Sequence, residues 1–167
     1  NKHCQNIMQD SPTDRYEKYF KKQIESCNKK GSKILVLPPT NAIANFFNAT
    51  DWLSKTLATL RQNTDRQIDV REKPYNPEAV IDATGKMTPG KSSNNKPPRP
   101  FEWHKVHAVV TFNSSISIKA LTNGVPVFAN FDNPCLPVCQ QDFTKIENPN
   151  YEDPRPVFYS LAYGQFT

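Results

Sequence analysis

The sequence predicts an α/β fold: a parallel sheet with helices on both faces. Three observations carry the prediction. Short β-rich runs alternate along the chain with helical patterns. One of those runs, Lys33-Ile34-Leu35-Val36-Leu37, is continuously rather than alternately apolar, as strands buried on both faces are, and Val106-His107-Ala108-Val109-Val110-Thr111-Phe112 is a second β-rich run. Finally, one stretch has the form strand, capping turn, short helix, glycine and strand, a compact β-α-β unit spanning 106–129.

The elements follow in order. From Asp14 to Lys30, Tyr16, Tyr19, Phe20, Ile24 and Cys27 recur at helical spacing with lysines opposite, which predicts an amphipathic helix with Gly31 as its C-terminal cap. The run 33–37 is a strand stopped by Pro38-Pro39-Thr40, with a loop after it. Thr50 or Asp51 caps a second helix, whose Leu53, Thr56, Leu57 and Leu60 share one face as far as about Asn63. Gln67-Ile68-Asp69-Val70-Arg71 is the next strand, interrupted by Lys73-Pro74. Residues 75–100 form a Pro/Asn/Ser/Lys-rich stretch with Lys86, Lys91, Lys96 and Arg99 and no acidic residue between Ala83 and Phe101, a composition that reads as a surface loop before a binding arm. After the β-α-β unit, Pro134 to Pro137 is irregular, Gln141 to Glu147 is predicted as helical, and Pro156 to Phe166 as a helix begun by proline in its first turn. The whole is a single Rossmann-like domain over residues 1–167, and both ends read as cut from a longer protein.

Composition narrows the function. The chain has 167 residues and a mean hydropathy of -0.69, yet its 10 Phe, 6 Tyr and 2 Trp can build a core, so it reads as a folded, soluble domain. No apolar run approaches the ~20 residues that span a bilayer, and no signal-peptide pattern opens the chain. The expected location is cytoplasmic, with Cys4, Cys27, Cys135 and Cys139 as free thiols and the sequons at Asn48 and Asn113 unused. Those cysteines lack zinc-ribbon spacing, so no metal site is expected. A formal net charge of +5 favours anionic partners. Gly-x-Gly-x-x-Gly, Walker-type and Gly-x-Ser-x-Gly motifs are missing, which weighs against dinucleotide oxidoreductases, P-loop NTPases and hydrolases. His107, inside a strand, reads as a packed side chain rather than a base.

In an open parallel sheet, ligands bind beyond the carboxyl ends of the strands. The residues expected there are Pro39, Thr40 and Asn41 after the first strand, Arg71 and Lys73 after the second, and Asn113, Ser114 and Ser115 after the third. Ser114 and Ser115, at a helix start, suit a phosphate oxygen, and Arg71 and Lys73 suit its charge. Equally, Asn113 or Ser114 serves only to cap the helix.

The segment from Val106 to Phe128, with its Asn113-Ser114-Ser115 turn, its Ala120-Leu121-Thr122-Asn123-Gly124 helix end and its Val125-Pro126-Val127 strand, resembles part of the C-terminal domain of GT-B-fold glycosyltransferases. The similarity is to capsular-polysaccharide transferases of the Kdo and polysialyl type and to transferase-like proteins of bacteria, phages and large viruses. Residues 34–40 and 64–74 resemble strand-loop elements of the same domain. The resemblance implies one half of a GT-B fold acting in polysaccharide biosynthesis, with Ser114 and Ser115 beside the phosphate of a nucleotide-sugar donor, Asn113 in support, and a basic residue from 71–73. It implies a glycan acceptor, an N-terminal acceptor-binding domain outside this chain, no cofactor besides the donor substrate and no metal, the leaving diphosphate being stabilised by helix dipole and cations. The catalytic base of such enzymes belongs mainly to the other domain, so none is assigned. No His-Pro motif like that of polysialyltransferases is present, which points away from a sialyl donor.

Two other readings compete. A noncatalytic module could bind anionic glycan or nucleic acid through Lys86, Lys91, Lys96 and Arg99, with steep salt dependence. A GT-B-fold sugar-nucleotide epimerase would share the domain but needs an acid-base pair that the sequence does not reveal.

Overall fold

The computed structural model describes residues 11–20, 24–28, 30–72, 80–81, 87–88, 100–130 and 133–164. Helix α1 is Asp14–Tyr19; β1, Lys33–Leu37; α2, Asn41–Phe46; α3, Trp52–Asn63; β2, Gln67–Val70. A two-stranded antiparallel pair follows, β3 at Val80–Ile81 and β4 at Met87–Thr88, and then β5 at Val106–Thr111, α4 at Ile116–Thr122, β6 at Val127–Ala129 and α5 at Arg155–Gly164. The main sheet has four strands in the order β2-β1-β5-β6, all parallel. With helices on both faces this is a Rossmann-like α/β arrangement.

Alternation along the strands sends side chains to two cores. Leu35, Leu37 and Val109 enter one, with Ala120 and Leu121 of α4 and Val157 and Phe158 of α5. Ile34, Val36, Ala108, Val110 and Phe112 enter the other, under Trp52 and Leu60 of α3 and beside Phe128, Phe143 and Ile146. Every residue of β5 is buried, including the polar His107 and Thr111. A register irregularity lies where Lys33 pairs with Val106 but Ile34 pairs with Ala108. The extra residue, His107, shifts the alternation by one, so Val106 and Ala108 fall in different cores.

Two glycines sit where the chain approaches itself too closely for a side chain. A Cβ on Gly31 would lie 2.2 Å from the backbone nitrogen of His107, beside the bulge. Gly124 has φ +68, and its Cβ would meet the Ser26 carbonyl oxygen at 2.0 Å.

The helix expected over 14–30 is shorter than its periodicity implies. Among the described residues of that stretch, Asp14–Tyr19 is helical and Ile24 to Asn28 is not. The Glu25 amide donates to the Thr122 carbonyl at 3.0 Å and the Asn28 amide to that of Gly124 at 2.8 Å. Tertiary partners for the backbone outcompete helical ones here, and Gly31 serves close packing rather than capping. Helix α2 lies where a loop was expected. Gln141 to Glu147 forms only a 3₁₀ turn at Phe143–Lys145, started by Asp142, whose carboxylate accepts from the Thr144 amide. Of the stretch 75–100, only β3, β4 and residue 100 are described, so Lys86, Lys91, Lys96 and Arg99 lie outside the described residues, as does the end of the C-terminal helix beyond residue 164.

Candidate functional site

The connections that leave β1, β2, β5 and β6 at their carboxyl ends lie along one edge of the sheet because all four strands are parallel. From β1 the chain runs outward to β2, and from β5 outward to β6, so the direction of winding reverses between β1 and β5. Ligands of doubly wound sheets lie outside such a switch point. Thr40 leaves β1 and Asn113, Ser114 and Ser115 leave β5, so sequence-predicted residues flank the reversal on both sides.

A buried hydroxyl ties the two sides together. Thr111, fully buried at the end of β5, donates to the Leu37 carbonyl of β1 at 3.2 Å and accepts from the Ser114 amide at 3.2 Å. The next connection is fastened by Asn133: its side-chain amide donates to the Ser114 carbonyl at 3.3 Å, and its side-chain oxygen accepts from the Cys135 amide at 2.9 Å. Trp52 of α3 donates through Nε1 to the Asn130 side-chain oxygen at 3.2 Å. Neither Thr111 nor Asn133 stands out in the sequence. A hydroxyl at the end of a largely apolar strand is the one available sign of the first, and the second depends on a contact nineteen positions away in the chain.

This network divides the two serines. Ser114 is 5% exposed, and its hydroxyl accepts from the Ile116 amide at 3.3 Å, starting α4. Its amide, carbonyl and side chain all serve the fold, as the capping reading expects. Ser115 is exposed and its side chain makes no capping bond. Asn113 is partly exposed beside it. Across the switch point, the Thr40 hydroxyl caps α2 by accepting from the Ile43 amide at 3.4 Å, but it keeps its own hydrogen to donate. Pro39 is partly exposed and Pro38 buried, so the prolines shape the exit from β1.

Arg71 extends the pairing of β2, its amide donating to the Val36 carbonyl at 2.9 Å. Its guanidinium is engaged: Nε lies 3.1 Å from the Asp69 carboxylate, and Cζ sits 4.8 Å above the Phe101 ring, itself stacked on Trp103 at 4.8 Å. The structure therefore holds this cation beside the sheet edge in a pair that an incoming anion would have to share. Lys73 lies outside the described residues.

His107, Cys135, Cys139 and Glu147 serve the fold. His107 is 6% exposed and hydrogen-bonds through Nε2 to the Ile146 carbonyl at 2.9 Å; burial holds its pKa below the ordinary imidazole value. Burial pushes the Cys135 thiol up to about 11 and the Cys139 thiol up as well, which makes both poor nucleophiles. Glu147 receives hydrogen bonds from Thr64 and Arg66, which hold its carboxylate below the usual range. Among the described residues no cluster of three or more His, Cys, Asp or Glu side chains could hold a metal ion, and no helix is long and apolar enough to cross a membrane.

Three cavities among the described residues lie away from Thr40 and Ser115. One of about 730 Å³ lies between Tyr16, Ser26, Tyr151 and Arg155; one of about 290 Å³ lies between Tyr16, Phe20, Ile118 and Leu161. A third, of about 670 Å³, is bounded by Cys27, Lys30, Trp103 and Asn123. Comparison with known protein families, with curated proteins and with solved structures finds no match to this chain.

Proposed function

We propose that the chain is the nucleotide-sugar donor-binding domain of a glycosyltransferase that elongates or modifies a glycan, with the acceptor held by a second domain. The observation that carries this reading is the switch point between β1 and β5, flanked by Thr40 on one side and Asn113 and Ser115 on the other. Ligands of open parallel sheets, nucleotides among them, bind at such a position. In the proposed site, the Thr40 and Ser115 hydroxyls donate to diphosphate oxygens, Ser114 holds the turn in shape, and Arg71, with Lys73 following it in sequence, supplies positive charge. Charge-assisted hydrogen bonds of this kind are the stronger class, and they stabilise a leaving diphosphate as negative charge develops on it. A domain of this type binds and activates the donor; the acid-base group belongs to its partner.

Calorimetry with UDP, GDP, CMP and their sugar conjugates tests the proposal. One nucleotide is expected to bind selectively, and Ser115→Ala to weaken it without altering the fold. Absence of binding by every nucleotide, or equal binding in Ser115→Ala, would overturn the assignment.

A further inference from the structure

We propose that Phe46 and Phe47 form a stacking platform for the nucleobase of a nucleotide seated at the β1/β5 switch point. This inference rests on the donor-site reading and adds to it the place and chemistry of base recognition.

Phe46 is 78% exposed at the last position of α2. An isolated exposed apolar residue needs no explanation, but this ring stands at the end of a braced series. Its centroid is 4.8 Å from that of Phe47 at an interplanar angle of 85°, Phe47 lies 6.1 Å from Phe112, and Phe112 lies 5.8 Å from the buried Trp52. Phe112 is the first residue after β5, and α2 is the first element after β1. The series of rings thus joins the two sides of the switch point.

The backbone under the platform is fixed. The Phe47 amide donates to the Ile43 carbonyl at 3.0 Å and the Ala49 amide to that of Ala44 at 2.7 Å, while Asn48 takes φ 50 to close the turn. Six residues of helix separate Thr40 from the far end of α2 by about 9 Å, so a phosphate near Thr40 leaves its base within reach of Phe46. Asn45 and Asn48, both exposed, lie one residue before and two residues after Phe46, and no charged residue occurs between Leu37 and Asp51. An uncharged segment with an exposed flat ring and side-chain amides suits a base, whose face stacks and whose edge offers donors and acceptors. Two rings offer far less than the ~800 Å² per partner that a stable protein interface buries.

The test is calorimetry of the full chain with UDP, GDP, CMP and inorganic pyrophosphate, on the wild type, Phe46→Ala and Phe46→Trp. Loss of one stacking ring is expected to weaken the preferred nucleotide about 5- to 100-fold and to leave pyrophosphate, which has no base, within twofold. Phe46→Trp is expected to retain the nucleotide and to change fluorescence on binding it. Nucleotide affinity unchanged in Phe46→Ala, or pyrophosphate weakened in parallel, overturns the platform and leaves the donor site standing. A wild type that binds neither nucleotide nor pyrophosphate overturns both. Sedimentation of the same variants is the second readout: a dimer lost in Phe46→Ala with nucleotide affinity unchanged would assign the rings to a second copy of the chain.

Discussion

Separating Ser114 from Ser115 is the most informative perturbation, because the fold and the proposed ligand make opposite demands on adjacent hydroxyls. Ser114→Ala removes the acceptor of the Ile116 amide while leaving the bonds from the Ser114 amide to Thr111 and from Asn133 to the Ser114 carbonyl in place. Loss of a helix-starting hydroxyl costs about 1 kcal/mol, and the 3.3 Å length of this bond argues against a larger figure. In a domain of this size that corresponds to a Tm lower by roughly 2–4 °C. Ser115→Ala removes an exposed hydroxyl without a capping bond, so its stability should stay within about 0.5 kcal/mol of wild type. Its effect belongs to the ligand: one hydrogen bond to a charged group is worth about 1.5–3 kcal/mol, roughly 10- to 100-fold in affinity. Urea unfolding of both variants, with calorimetry of the nucleotide that binds the wild type, measures the two effects separately. The reverse pattern, with Ser115→Ala destabilised by more than about 1 kcal/mol and Ser114→Ala stable but defective in binding, would refute the division.

Two further outcomes follow from the architecture. Gly124→Ala forces a left-handed φ on an L-residue, costing about 1–2 kcal/mol, and drives its Cβ into the Ser26 carbonyl. Moving Ser26 away strains the Glu25–Thr122 and Asn28–Gly124 backbone bonds, each worth about 1 kcal/mol. Urea unfolding should therefore show a loss of about 3–4 kcal/mol, and a loss below 1 kcal/mol would contradict the close approach. His107 is held neutral by burial, so below its ordinary pKa of 6.5 the unfolded chain binds more protons than the folded one. Its contribution thus lowers stability progressively as pH falls below 6.5 toward the depressed folded value. His107→Gln keeps a donor for the Ile146 carbonyl and removes the titration. Its stability difference between pH 7.5 and 5.5 should be smaller than that of wild type, and an identical difference would show that His107 does not titrate on unfolding.

The sequence alone determined the layers and most strands. An apolar run such as 34–37 has no polar face to give to water, so it must be buried on both sides, and the helical pattern at 53–60 supplies one of its covers. Local chemistry also located Gly124, whose place after a short helix called for the left-handed conformation the structure contains. Periodicity misjudged the length of α1, because the pairing of Glu25 and Asn28 with the α4–β6 connection is non-local. It also missed α2, where Pro38 and Pro39 signal a stop but the Thr40 cap restarts a helix.

At the candidate site, sequence placed Thr40, Arg71 and Asn113 to Ser115 after their strands, because a strand's carboxyl end follows from chain direction. Strand order was beyond it: that β1 and β5 are neighbours is set by packing between residues more than sixty positions apart. The same holds for the burial of Ser114 beneath Asn133, the exposure of Ser115 and the bracing of Phe46 through Phe112. Residue type and spacing determine which groups can do chemistry; which of them are consumed by the fold and which are left to a ligand is decided only when distant segments compete for the same hydrogen bonds.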